Sequence, residues 1–329
     1  MPFELVPSGT NIDFLGRRKI CAVVSAILIL AGLGAVIARG GVPMGIDFRG
    51  GTEIQLLFDA EIDVDEARIR SVVEGAGIEN ASVIRFGDGD GSEFVIKFPG
   101  DLDSISVDDI EADGATSKND RVGLIERAVG GAIGEFTTQR VEFVGPRVGA
   151  ELRQDGLKVM LISSLAILVY VAFRFSLRFA PGAIVAVIHD LTVTGGILVM
   201  LGIEFDLRIL AAMLAILGYS LNDTIIIYDR IRENMELRTK ADLEDVLNMS
   251  VNQTLSRTFL TSITTILALL SLYFLGGEVI KPFAFAMLIG VVVGTYSSIF
   301  IASPLLLFLE NRYGEARGAK KARALGSGS

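Results

Sequence analysis

"LGYSLNDTIIIYDRIREN", Leu217–Asn234, sets an asparagine and an aspartate, Asn222 and Asp223, in a run of leucine, isoleucine and tyrosine. About 20 consecutive apolar residues are enough to cross a hydrocarbon core of ~30 Å as a helix. A carboxylate inside such a helix is costly, and it normally faces protein or water and does work there. The fold depends on whether this stretch spans a membrane.

Five other blocks read the same way. The expected spans are Ile20–Ala38, Leu157–Phe173, Pro181–Leu201, Ile209–Tyr228, Thr258–Leu275 and Pro282–Phe308. Hydrophobic residues make up 51% of the 329, and mean hydropathy is +0.53. The first block has a basic start, Arg17-Arg18-Lys19, and could be read as a cleaved leader. Its apolar run is longer than a leader's, and further spans follow. The basic residues alternate. Arg17, Arg18 and Lys19 precede span one, Arg174 and Arg178 separate two and three, and Arg230, Arg232, Arg238 and Lys240 separate four and five. Arg312, Arg317, Lys320, Lys321 and Arg323 follow six. The short loops of the other side carry only Arg208 and Lys281. This predicts both termini in the cytoplasm. The formal charge is −9, and no nucleic-acid partner is expected. Cys21, the only cysteine, forms no internal disulfide and reads as a small buried hydrophobe. No phosphate-binding G-x-x-x-x-G-K-[ST] loop occurs, so energy from ATP held that way is not expected.

Residues 39–156 form a mostly polar segment on the outer side. "TEIQLLF", "ASVIRF", "EFVIKF" and "TQRVEFV" read as strands, and "VDEARIRSVVEGAG" and "SKNDRVGLIERAVGGAI" as helices. The order β-α-β-β-α-β predicts a ferredoxin-like α+β domain. "GDGDGS" reads as a hairpin turn; it lacks the spacing and terminal Glu of a calcium loop. Asp101–Asp113 reads as an exposed acidic loop. The whole is then an α-helical integral membrane protein with six transmembrane helices and an extracytoplasmic ferredoxin-like domain. Residues 1–19 form the N-terminal segment and 309–329 the tail. Residues 229–257 form a cytoplasmic loop in which "ADLEDVLNMSVNQ" is expected as an interfacial amphipathic helix.

The polar residues inside the spans are few. Asp223 sits ~10 Å from the inner end of span four, with Tyr219 and Ser220 on its face. His189 and Asp190 sit ~13 Å deep in span three. Arg257 opens span five, followed by a stripe at Thr258, Thr261, Thr264 and Thr265. Together they could form one polar cluster; alternatively, the hydroxyls simply join helices. A lone histidine makes no metal site, and a satisfied core histidine is the plainer reading of His189. Gly290, Gly294 and Ser298, four residues apart, predict close helix packing. Gly40, Gly41, Gly45, Gly50 and Gly51 suit either a flexible linker or a tight turn needing positive φ.

Six stretches in this order resemble SecF, a family of bacterial protein-export membrane proteins in the resistance-nodulation-division superfamily. They are "GIDFRGGTEIQL" at 45–56, "VEFVGPRVGAEL" at 141–152, "AIVAVIHDLTVTGGIL", "GYSLNDTIIIYDRIREN", "TLSRTFLTSITT" and "GVVVGTYSSIFIASPLLL". Arg49 departs from the family pattern, which has a smaller polar residue there. The resemblance implies location in the bacterial inner membrane and a partner, SecD, that supplies a second six-span half. It implies assistance to the Sec translocon channel, with the proton-motive force helping to move a preprotein. It also implies that Asp223 and Arg257 belong to a proton relay to which SecD adds a further aspartate; the residues themselves put His189, Asp190, Asn222, Tyr219, Ser220 and Thr261 in a supporting polar cluster. Protons are then the coupling ion, with no other cofactor, no metal and no enzymatic chemistry. Half of a proton-coupled exporter of small molecules or lipids, and a non-transporting translocon scaffold, are the alternatives. The small acidic outer domain speaks against the first, and the second predicts that a neutral isostere at Asp223 keeps function.

Overall fold

The computed structural model describes residues 7, 10–59, 62, 64–78, 81–85, 92–98, 116–174, 178–238, 241–277 and 279–312. Positions 87–91 of the GDGDGS turn, the acidic stretch 101–113, Lys240 and the basic tail beyond 312 lie outside these residues. Two compact units emerge: one holds the membrane helices except the first turns of the second span, the other comprises Met44–Lys158 with Phe205–Leu207.

The membrane unit contains six helices long and apolar enough to span. A 3-10 turn, Leu15–Arg17, runs into α1 (Arg18–Ala38). The others are α5 (Pro146–Arg174), α6 (Ala180–Met200), α7 (Leu207–Leu237), α8 (Leu243–Leu275) and α9 (Lys281–Ser297). A π-helical segment, Ser298–Ala302, extends α9 toward Arg312. Proline in the first turn of α6 and α9 supplies a preset φ where no backbone donor is needed. α6, α7 and α9 are the most deeply buried; α1, α5 and α8 show most of their surface, largely isoleucine, leucine and valine, as lipid-facing helices do.

The expected separate amphipathic helix does not form. α7 runs to Leu237, and Asp242 caps α8 with its side chain on the Leu243 amide (2.9 Å), so "ADLEDVLNMSVNQ" becomes the first turns of the fifth span. Its apolar face, Leu247, Val251 and Leu255, belongs to the same buried cluster as Leu15 and Ile231. Burial inside the protein has taken the place of an interfacial position. The N-terminal segment is tied to this helix. Asn252 accepts from the Ile12 amide and donates to the Ile12 carbonyl, both at 2.8 Å, while Asn248 accepts from the Phe14 amide at 2.8 Å. Arg18 pairs with Glu244.

The second unit, the expected outer domain, has strands β1 (Gly51–Phe58), β2 (Ser82–Arg85), β3 (Ser92–Phe98) and β4 (Phe136–Val144), in sheet order β2-β3-β1-β4, all neighbours antiparallel. A short helix, α2 (Ile46–Arg49), precedes them, and α3 (Glu66–Gly75) and α4 (Thr116–Ala132) pack together. This is the βαββαβ arrangement expected from the alternation. Ile54, Leu56, Phe58, Phe94 and Ile96 from the strands meet Ile69, Val73, Ile125 and Val129 from the helices in one core. Asp65 caps α3 by accepting from the Arg68 amide (2.7 Å).

Candidate functional site

Small residues bring the polar groups of the membrane unit together. Along α7 and α9 a constant register pairs Ile216 with Gly290, Ser220 with Gly294, Thr224 with Ser298 and Tyr228 with Ala302. A Cβ on Gly290 or Gly294 would come within 3 Å of Ile216 or Ser220, so only glycine lets the helices approach this closely. Thr224 and Ser298 share a 2.8 Å hydrogen bond, and Tyr228 donates to the Ala302 carbonyl (3.0 Å) within the π segment, where regular helical pairing is interrupted. The stripe at Gly290, Gly294 and Ser298 therefore packs as its spacing predicts. α1 and α6 make a second close approach at Gly32 and Gly196, with a Cβ on Gly32 only 2.7 Å from Gly196 Cα.

Asp190 lies at the centre of this packing, essentially without exposure. Its Oδ1 faces His189 Nδ1 at 3.0 Å. Its Oδ2 accepts from the Ser297 hydroxyl at 2.8 Å and from the Ser220 hydroxyl. His189 Nε2 reaches Ser25 Oγ at 3.0 Å, Ser25 reaches Tyr296 at 3.1 Å, and Tyr296 donates to the Cys21 carbonyl at 2.7 Å. Four helices contribute to this chain. Sequence reasoning singled out His189, Asp190 and Ser220, but missed Ser25, Tyr296 and Ser297. A serine in the apolar run of α1 was the available signal, but nothing local in the sequence says which helix it faces.

Asp223 is separate from that network. It too is buried, and neither of its oxygens has a hydrogen-bond partner among the described residues. Arg257 acts on it electrostatically, but no hydrogen bond joins the two, and the arginine is exposed on α8. The hydroxyls of Thr194, Tyr219 and Thr258 are likewise buried without partners among the described residues. Asn222 points outward, away from both groups. Thr261, Thr264 and Thr265 bond carbonyls of their own helix, so the stripe does not join helices; Ser262 does so through Thr295 at 2.7 Å. The expected polar cluster is thus not one: a saturated network surrounds Asp190, and Asp223 stands outside it, unpartnered among the described residues.

The glycines near the start of the outer unit also divide. Gly50 (φ 77°) and Gly51 (φ 153°) form a tight turn: a Cβ on Gly50 would lie 2.6 Å from Pro146 Cα, and one on Gly51 2.7 Å from the Phe98 carbonyl oxygen. Gly45 donates to the Phe205 carbonyl (2.8 Å). A Cβ on Gly40 or Gly41, also at positive φ, would meet nothing within 4 Å, while their amides close the end of α1 on the Ile37 (3.1 Å) and Val36 (2.9 Å) carbonyls.

Comparison with known proteins agrees with this geometry. The profile "Protein export membrane protein SecD/SecF, C-terminal" matches residues 125–312, more than half of the chain, and the "SecD/SecF GG Motif" matches 36–62. The chain belongs to the SecD/SecF protein-export membrane protein family. The protein translocase subunit SecF of Calditerrivibrio nitroreducens is 41% identical over 94% of this chain and 97% of its own length. That of Pseudomonas aeruginosa is 41% identical over 91% and 92%. A crystal structure of SecDF, a translocon-associated membrane protein from Thermus thermophilus, superimposes with a TM-score of 0.80 at 36% identity. The match covers 94% of this chain and 40% of that one. The chain is thus a multi-pass membrane protein with the SecF role in protein translocation. The two glycines of the tight turn, Gly50 and Gly51, fall inside the matched GG motif.

Proposed function

We propose that this chain converts proton movement into assistance for preprotein translocation, with Asp223 as the group that takes up and releases the proton. The observation that carries this is Asp223 itself: a membrane carboxylate with both oxygens buried and, among the described residues, unpartnered. Left ionised there it would cost several kcal/mol, so a proton or a returning cation must balance it. Arg257 is the cation acting on it, and its exposure on a helix with so much free surface fits completion by a second membrane half, SecD. Protonation weakens the Asp223–Arg257 attraction and lets the facing helices rearrange. One proton crossing 100 mV supplies ~2.3 kcal/mol, and each pH unit adds ~1.4 kcal/mol. Conformations of one protein typically differ by a few kcal/mol, so one or two protons bias such a rearrangement. They fall far short of driving export alone, which favours a subunit that works beside the Sec translocon on the preprotein.

In this reading the protein resides in the bacterial inner membrane with both termini cytoplasmic. It is a transport subunit rather than an enzyme, and protons are its only coupling species. Gly40 and Gly41, at positive φ with open space where a side chain would stand, are the positions where span one can swing relative to the chain that follows. The test is precursor translocation into inverted membrane vesicles carrying SecD with either the wild type or Asp223→Asn, with and without an uncoupler. The expected result is normal assembly and loss of the uncoupler-sensitive part of translocation. Full uncoupler sensitivity in the variant would leave Asp223 a structural residue, as a scaffold role requires.

A further inference from the structure

With each contact of the chain around His189 satisfied as a hydrogen bond, its protons can be counted. Tyr296 has one hydrogen, and its 2.7 Å contact with a carbonyl, Cys21 O, uses it. The 3.1 Å contact between Ser25 and Tyr296 must then be donated by Ser25, which uses the only hydrogen of Ser25. His189 Nε2, 3.0 Å from Ser25 Oγ, must therefore carry a hydrogen and donate it. On the other side of the ring, one more hydrogen lies between Nδ1 and Asp190 Oδ1, while Oδ2 accepts from Ser220 and Ser297. The pair His189–Asp190 thus holds two ring-side hydrogens, one more than neutral histidine beside a carboxylate.

We propose that His189, Asp190, Ser25 and Tyr296 form a one-proton latch that ties α1 to α6 and α9. When the extra proton leaves, the Nε2–H bond breaks, the electron pair stays on Nε2 and the proton passes to water. The remaining ring hydrogen stays on Nδ1 against Asp190. Nε2 is now an acceptor, so Ser25 turns its hydrogen to it, and the Ser25–Tyr296 bond is lost. Two oxygens 3.1 Å apart are left with no hydrogen between them. Proton number at α6 therefore sets whether α1 is bonded to α9. The titratable groups facing the ring are Asp190 on its own helix and Tyr296 on α9; Cys21 on α1 acts on Tyr296, α7 contributes Ser220 on Asp190, and its carboxylate Asp223 makes no bond to the network. Among the described residues no lysine or arginine bonds to any member, and Arg257 on α8 acts on Asp223 instead. The latch deepens the proposed proton coupling and rests on it for its use, but the latch itself can be tested without transport.

His189 is the only histidine of the chain, so a [15N]histidine label reports this site alone. The full chain, labelled and purified through a histidine-free tag, is assembled with unlabelled SecD in a bilayer, and the one-bond N–H couplings are followed with pH. The expected result is Nε2 protonated at low pH and bare at high pH, with Nδ1 keeping its hydrogen at high pH. In Tyr296→Phe, Ser25 has no competing partner, so the transition should move to lower pH by about one unit, tenfold in proton affinity, the scale of one hydrogen bond. An Nε2 that is bare, or protonated, throughout the range would overturn the latch in the wild type alone, even if the variant failed to assemble. An unmoved midpoint in an assembled Tyr296→Phe complex would also overturn it. Loss of the latch with a positive Asp223→Asn result leaves the proton-coupling reading standing; a titrating latch with neutral Asp223→Asn removes that reading only.

Discussion

Replacing Gly32 by alanine should separate α1 from α6 and weaken the network two turns away. A Cβ at Gly32 falls 2.7 Å from Gly196 Cα, whereas carbon atoms rest about 3.5–4.0 Å apart. The helices must part by roughly 1 Å. Ser25 precedes Gly32 by the same two turns that separate His189 from Gly196, so both pairs sit on the same seam. An opening of about 1 Å there stretches the 3.0 Å His189–Ser25 contact beyond hydrogen-bonding range. Overpacking costs about 1–3 kcal/mol, and the lost bond about 0.5–1.5 kcal/mol. Together these amount to about 2–4 kcal/mol, and a fall in Tm of roughly 3–8 °C, read by thermal unfolding of the purified chain with SecD. Gly34→Ala is the internal control: a Cβ there meets nothing within 4 Å, so stability should hold or rise slightly. A Gly32→Ala protein that melts with Gly34→Ala and the wild type would refute the close-approach reasoning.

Other substitutions test other parts of the structure. Gly290→Ala and Gly294→Ala should each cost about 1–3 kcal/mol of complex stability, read by thermal unfolding, because a Cβ at 290 falls 2.2 Å from Ile216 Cδ1 and 2.3 Å from its Cγ1, and one at 294 falls 2.9 Å from Ser220 Cβ. Gly50→Ala combines a left-handed φ with a 2.6 Å approach to Pro146 Cα; hydrogen exchange in the full chain should show β1 and β4 amides exchanging at least tenfold faster. Phe94→Ala, in the centre of the outer core, should destabilise that unit by about 3–5 kcal/mol, seen as selective proteolysis of the outer unit while the membrane helices stay protected.

The span count was legible because hydropathy blocks are set by membrane thickness alone, and the ferredoxin-like order followed from strand alternation and helix spacing. The packing of Gly290, Gly294 and Ser298 was legible for the same reason: a four-residue period defines one helix face. The division of the polar residues into two groups was not. Asp190 and Asp223 look alike in sequence, and only the register of α6, α7 and α9 gives the first three donors and the second none. Ser25 was missed because its partner lies 164 positions away. The amphipathic stretch 241–253 was misassigned because a helix burying one face against protein has the same period as one lying on a membrane. The burial of Leu247, Val251 and Leu255, with Asn248 and Asn252 fastened to the N-terminal segment, shows which surface it meets.

The central claim is that protons load onto Asp223. It is tested most directly by proton flux into proteoliposomes containing the chain and SecD, under an imposed pH gradient and membrane potential. Wild-type flux should collapse in Asp223→Asn and partly survive in Asp223→Glu, which keeps the titrating group one methylene further out. Undiminished flux in an assembled Asp223→Asn complex would contradict the account and move the proton's path away from α7.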